Sequence, residues 1–299
     1  MVVSFYKMNP LFLTTASQNT IPEVGLLIDS LRTFGGELAN APFWVFSTQP
    51  EGAQKRIHQF EDVHTRIIPL EIPVSISRYP FCEKVAACAL AEQNAPVGTR
   101  SMVWIDSSCL IVQPPRLFDL GNEFDAAFRP VHIRNVGLLT IEPLDPYWQG
   151  IYSTLGLEDA STTIISFVDG QCLRTYFNSH AFAIRPGLGL MNRWYALFQL
   201  LVKDKLFQTK ACPDETHQLF LFQALLSALV ASSIDSRRIY ILPDTYNYPY
   251  NLQNQLPVEK RANIINDLVC FTYEARSIHP SDLYDIQLNE PLRSWLEAK

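Results

Sequence analysis

The stretch MVWIDSSCLIVQPP, residues 102–115, sets four apolar residues directly before a carboxylate and two hydroxyls, then turns apolar again until Pro114 and Pro115 end the run. A short apolar run bounded by turn-forming residues reads as a buried strand that ends at Asp106. What stands upstream decides which kind of sheet that strand joins. LFLTTAS (11–17), PFWVFST (42–48) and TRIIPLEI (65–72) have the same character, and helical segments lie between them. Thr20 and Glu23 have the spacing of a capping box, Pro22 sits in a first helical turn, Val24, Leu27, Ile28 and Leu31 share one helix face, and Gly35-Gly36 ends the pattern. QKRIHQFED (54–62) reads as a short helix. SRYPFCEKVAACALAEQN (77–94) reads as a longer, alanine-rich one with Pro80 near its start, followed by the turn APVG. Strand and helix therefore alternate up to residue 115, the pattern of a parallel sheet covered on both faces.

Beyond Pro115 the alternation breaks. FDAAFRPV and YFNSHAFAIRP read as strands, GLMNRWYALFQLLVKDKLF and DETHQLFLFQALLSALV as long helices, RIYILPDTYNYPYN as a strand entering an aromatic loop, and DLVCFTY as a late strand. No repeat or low-complexity linker interrupts the chain, so one domain over residues 1–299 is expected, with a regular half (1–115) and a mixed half (116–299).

Composition narrows the function. Of 299 residues, 47% are hydrophobic, enough for a large core, and the formal net charge is −6 with no basic run longer than Lys55-Arg56 or Arg237-Arg238. That balance argues against a nucleic-acid partner or an anionic membrane surface and in favour of a small ligand. MVVSFYKMNP lacks the pattern of a secretory signal. The longest apolar region, LFLFQALLSALVASSI, has 16 residues and contains Gln223, so a buried helix is expected and a transmembrane segment is not. Six scattered cysteines without metal-binding spacing read as reduced, packed thiols, which favours a cytoplasmic setting. His58, His64, His132 and His217 form no metal-binding pair and read as surface or packed residues.

In an open α/β sheet, ligands bind beyond the carboxyl ends of the strands, where Asp106 is expected. Its residue types admit two readings, a ligand-facing carboxylate or a simple Asx-type turn with Ser107. Arg78 and Lys84 flank the start of the Pro80 helix. They are either solvated charges or cations beside a helix N-terminus able to hold phosphate. Asp214, before Glu215 at the start of an apolar helix, fits an N-cap.

Taken in order, these segments resemble the glycosyltransferases of the GT-A fold. WIDSSCLIVQPP is similar to their D-x-D motif, FLTTASQNTIPEVGLLIDSLRTFGG to the first strand and helix around the nucleoside, SRYPFCEK to the helix before D-x-D, YFNSHAFAIRP to an N-S-G strand near the sugar, PDETHQLFLFQALL to the acidic start of a later helix, and SIHP to a histidine closing over the diphosphate. The resemblance implies a single GT-A-like, Rossmann-like domain with a mainly parallel mixed sheet, a nucleoside diphosphate sugar as donor and an unidentified acceptor. Residues 1–115 would bind the nucleotide, and 116–299 the sugar and acceptor. Thr14, Thr15, Ala16 and Ser17 would border base and ribose. Arg78, Lys84, Asp106, Ser107, Asn178 and Ser179 would contact the rest of the donor.

By the same resemblance, Asp214 or Glu215 would act as general base or orient sugar hydroxyls, and Asp106, Ser108 and His279 would hold Mn²⁺ or Mg²⁺. Two positions depart from the pattern. Ser108 replaces the second acidic residue of D-x-D, a poor ligand for a hard divalent cation, and His180 replaces the glycine after Asn178-Ser179. A non-catalytic nucleotide-sugar-binding or interaction protein that has lost turnover is the alternative. A nucleotidyltransferase is disfavoured because FLTTASQNTIP has no glycine-rich, lysine-bearing phosphate loop.

Overall fold

The computed structural model describes residues 10–48, 56–159, 162–212 and 214–299. Strands β1 (Leu11–Ala16), β2 (Phe43–Ser47), β3 (Thr65–Pro69) and β4 (Met102–Ile105) alternate with helices α1 (Ile21–Phe34) and α2 (Cys82–Asn94). Then come β5 (Cys109–Ile111), β6 (Ala126–Phe128), α3 (Pro146–Leu155), β7 (Thr163–Ile165), β8 (Cys172–Arg174) and β9 (Ala181–Ile184). Helices α4 (Leu190–Lys203), α5 (Lys205–Lys210) and α6 (Glu215–Ser233) precede β10 (Ile239–Ile241), β11 (Tyr248–Pro249), β12 (Cys270–Thr272) and α7 (Leu292–Glu297).

Seven strands form the main sheet in the order β10-β6-β9-β4-β1-β2-β3. The four strands expected from the first half are neighbours and parallel, while β9 runs antiparallel between β4 and β6. Alternate residues enter opposite faces. Leu11, Leu13 and Trp104 pack into the core shared with α2, α4 and α6, whereas Phe12, Val103 and Ile105 pack with Val24, Leu27 and Leu31 of α1. Burial on both faces is why these strands are continuously apolar in sequence. Small residues on α2, among them Ala86, Ala87, Ala89 and Ala91, are buried and let that helix lie close to the sheet. The apolar region at 219–234 is a helix buried through most of its length, and among the described residues no helix is long and apolar enough to cross a membrane.

β5 leaves the main sheet and pairs antiparallel with β12, starting a small sheet β11-β12-β5. The segment Asp106-Ser107-Ser108 is thus the turn by which the chain passes from one sheet to the other.

Local expectations fare unevenly. The capping box at Thr20 does not form: its hydroxyl accepts the Ser17 N–H at 2.9 Å instead of a helical N–H. The short helix expected at 54–62 is one 3₁₀ turn, His58–Phe60, and residues 54 and 55 lie outside the described ones. The long helix expected from GLMNRWYALFQLLVKDKLF divides at Asp204, which caps α5 by accepting the N–H groups of Leu206 and Phe207. Helix α3, capped by Asp145 through the Trp148 N–H at 2.8 Å, and the β7–β8 hairpin were not anticipated. All six cysteines are unpaired; five are buried and Cys172 is exposed.

Candidate active site

The order β4-β1-β2-β3 reverses direction between β4 and β1, which opens a crevice at their carboxyl ends. Leu13 pairs with Trp104, so two residues further on Thr15 stands alongside Asp106. Here lies a cleft of about 510 Å³, lined by Thr15, Ala16, Ser17, Lys84, Asp106, Ser107 and Ser108, with Glu83, His180 and Glu274. A second cavity of about 310 Å³ adjoins it, the two sharing Phe81, Lys84, Asp106, His180 and Glu274.

Asp106 does not form an Asx turn. Its backbone carbonyl closes the turn by accepting the Cys109 N–H at 3.0 Å, and its carboxylate turns inward. There it accepts the Trp104 indole N–H at 2.7 Å and pairs with the Lys84 ammonium at 2.8 and 2.9 Å. Lys84 belongs to the first turn of α2, which packs on β1 and β4, so its side chain points into the protein and is only 4% exposed. The ammonium also donates to the Ser179 carbonyl at 3.2 Å and stands 5.0–5.2 Å from the ring centres of Phe81, Trp104 and Phe222. Three aromatic faces and a carboxylate hold the charge in place.

The second cavity carries a chain of amides and imidazoles. The His180 backbone N–H donates to Asn178 Oδ1 at 2.8 Å, which fixes the orientation of the Asn178 amide. The same oxygen accepts from Asn247 Nδ2 at 2.6 Å and faces His180 Nδ1 at 3.0 Å, and the Asn178 amide nitrogen faces His132 Nδ1 at 3.3 Å. His132 Nε2 therefore donates to the Asn247 carbonyl, 2.9 Å away. Burial, with His180 and Arg129 nearby, holds His132 well below its ordinary pKa.

Glu274, just beyond β12, receives His180 Nε2 at 3.0 Å on one oxygen and Asn251 Nδ2 at 2.7 Å on the other. The His180 contact holds its carboxyl below the usual range. Glu274 has φ 46°, a left-handed backbone rare outside glycine, and such strain gathers at functional sites.

The anticipated residues divide. Thr15, Ala16, Ser17, Lys84, Asp106, Ser107 and Ser108 meet in the cleft, and Asn178 and Ser179 line the second cavity. Thr14 is fully buried inside the sheet. Arg78 is exposed in the turn before α2 and lines neither cavity. Asp214 is the N-cap of α6, accepting the His217 N–H at 2.9 Å; that bond holds its carboxyl below the usual range. Neither it nor exposed Glu215 lines the two cavities, because the helix brings residues a turn or more further along, such as Phe222 and Gln223, to them. His279 borders another cavity, beside α1, and bonds Ser281.

The divalent-cation set is therefore not assembled. Both oxygens of Asp106 are engaged, Ser108 carries no charge, His279 stands elsewhere, and among the described residues no three carboxylate, imidazole or thiol groups converge to hold a metal ion. Glu274 and His180 are the functional candidates that sequence reasoning passed over. Glu274 had a usable signal: DLVCFTYE ends a buried strand in an acid, as MVWID does. His180 was noted only as a departure from a glycine.

The chain belongs to the Rhodobacterales glycosyltransferase domain family, whose model matches residues 17–232. Among solved structures it is similar to the bifunctional glycosyltransferase WbbM in its apo form, with 14% identity, a TM-score of 0.53 and coverage of 91% of this chain and 47% of that one. It is also similar to the galactosyltransferase LgtC in complex with donor and acceptor sugar analogues, with 12% identity, a TM-score of 0.53 and coverage of 88% and 86%. A search of curated proteins gives no match. The architecture is that of the GT-A glycosyltransferases, and the chain spans just under half the length of WbbM.

Proposed function

We propose that this protein transfers a sugar from a nucleoside diphosphate sugar bound across the two cavities. The observation that carries the reading is the convergence of Thr15–Ser17, Lys84 and Asp106–Ser108 on one cleft at the β1/β4 reversal. The small hydroxyl-bearing residues leave room for base and ribose, and the diphosphate lies toward Lys84 and the N-terminus of α2. The sugar extends into the second cavity, where Asn178, His180 and Glu274 offer hydrogen bonds and Phe81 and Phe222 offer apolar faces.

In the reaction, the bond between the anomeric carbon and the diphosphate oxygen breaks, its electron pair staying on the diphosphate, and the acceptor oxygen forms the new bond to the anomeric carbon and gives up its proton to the departing diphosphate. Negative charge grows on the departing diphosphate. A fixed ammonium in a partly desolvated site stabilises that charge without having to reorganise. Lys84 supplies it, and Asp106 keeps it oriented. No step is assigned to a metal ion, since the donor set does not fit one.

The test is release of nucleoside diphosphate from UDP-, GDP-, CDP- and dTDP-sugars, with a soluble sugar acceptor panel. Ser17→Trp serves as the blocked variant, because Ser17 is an exposed residue of the cleft. Turnover of one donor by the wild type, lost at least tenfold in Ser17→Trp with an unchanged melting temperature, is expected. Equal rates in both proteins would contradict the placement of the donor.

A further inference from the structure

Resting on that donor reading, we propose that the second cavity admits a neutral or amino-bearing sugar ring and excludes one carrying a carboxylate, with Glu274 as the residue that decides. Its volume of about 310 Å³ equals roughly ten waters in the liquid, a space on the scale of one sugar ring with its hydroxyls. The polar groups that face it are Asn135, Asn178, Ser179, Gln223 and Asn251, with His132 and His180. Amides and imidazoles of this kind bind hydroxyls.

Among the described residues, the ammonium and carboxylates that face it belong to Lys84, Asp106 and Glu274. Lys84 already donates to both oxygens of Asp106 and to the Ser179 carbonyl, so its N–H groups are engaged. Glu274 is held by His180 at 3.0 Å, so among the described residues neither Lys84 nor His180 is free to receive an added carboxylate. Among the described residues no arginine lines the cavity, and Arg129, the buried guanidinium of the neighbouring β6 segment, is turned to Asp244 at 2.7 Å and the Leu242 carbonyl at 3.0 Å.

A uronate ring would therefore bring its carboxylate toward Glu274 with no free cation to receive it, and like charges at contact distance oppose each other even in a half-exposed site. A hydroxymethyl group or an amine meets no such opposition. Glu274 is also held in position: His180 and Asn251 each occupy one of its oxygens, which leaves a lone pair on each for a vicinal pair of sugar hydroxyls. Its left-handed backbone aims the side chain from the end of β12 into the space shared by both cavities.

Calorimetric titration with donor pairs that share base and ring tests the idea: UDP-glucose against UDP-glucuronate, and GDP-mannose against GDP-mannuronate, with UDP and GDP alone as references. For the base that binds, the neutral donor is expected to bind at least tenfold more tightly than the uronate. Glu274→Gln, isosteric at a side chain 47% exposed and so compatible with the fold, is expected to narrow that gap at least threefold, each affinity being taken relative to the same variant's affinity for the bare diphosphate. A uronate that binds as well as the neutral sugar, or a gap unchanged in Glu274→Gln, would overturn the inference and leave the donor reading standing. Failure of every diphosphate and donor to bind would defeat the donor reading itself, and this inference with it.

Discussion

Lys84 and Asp106 show how a single contact changes the meaning of two residues. A lysine near a helix start is ordinarily solvated, and nothing in FCEKVAACAL distinguishes it. What turns it inward is the close packing of the alanine-rich α2 on the sheet, a tertiary effect that no local pattern reports. Removing one partner of a buried pair strands the other, so Lys84→Met should cost about 3 kcal/mol, the low end for such pairs because Asp106 keeps some contact with water. Lys84→Met/Asp106→Asn should recover most of the loss, and urea denaturation of the four proteins of that cycle measures the coupling. Ser108→Asp restores the second acid of the D-x-D pattern. It should tighten Mn²⁺ binding at least tenfold over wild type in calorimetry without nucleotide, and no change would mean that the turn cannot present two carboxylates together.

His132 makes a prediction about pH. In the folded protein burial keeps it neutral well below its usual range, whereas in the unfolded chain it protonates near pH 6.5. The unfolded state then binds the extra proton, so stability present above pH 6.5 is lost as pH falls toward the folded value, by at most about 1.4 kcal/mol per pH unit. Carboxylates held low, such as Asp125 and Glu274, act only near pH 4 and below, which leaves pH 6.5 to 5 to the histidine. His132→Gln, which can keep a donor and an acceptor, should flatten that part of the stability curve; an unchanged slope would assign it to another group.

At the level of elements, β1, β2 and β4 were legible because both faces of each are buried, so each is written as an unbroken apolar run that ends in polar residues at the sheet edge. The second sheet was not. β5 and β11 span three and two residues, too short for any periodicity, and their place depends on partners far along the chain. One of those ties is a buried serine. Ser30 on α1 donates to the Leu27 carbonyl at 2.7 Å and accepts the Ile111 N–H at 3.1 Å, joining helix and β5 just past the Asp106 turn. Ser30→Ala leaves that N–H without a partner and should lower stability by about 1–3 kcal/mol. Thermal and urea unfolding read the loss; a variant as stable as wild type would show that β5 is held by its pairing with β12 alone.

Across the whole molecule, the order of the segments carried the family resemblance, and the fold follows that order from β1 through β12. The nucleotide edge was readable because strand order and register put Thr15 beside Asp106. The sugar side was only partly so, since Asp214 and Glu215 cap a helix outside the cavities while His180 and Glu274, separated by 94 positions, meet through the fold. The central claim is that a nucleoside diphosphate sugar lies across the β1/β4 edge and reaches Glu274. Hydrogen–deuterium exchange with and without the preferred donor tests it most directly. Slower exchange is expected in segments 14–20, 81–86, 106–109 and 178–181 and around residue 274, with little change near His279 and the start of α6. Protection confined to the region of His279, or to the start of α6, would contradict it.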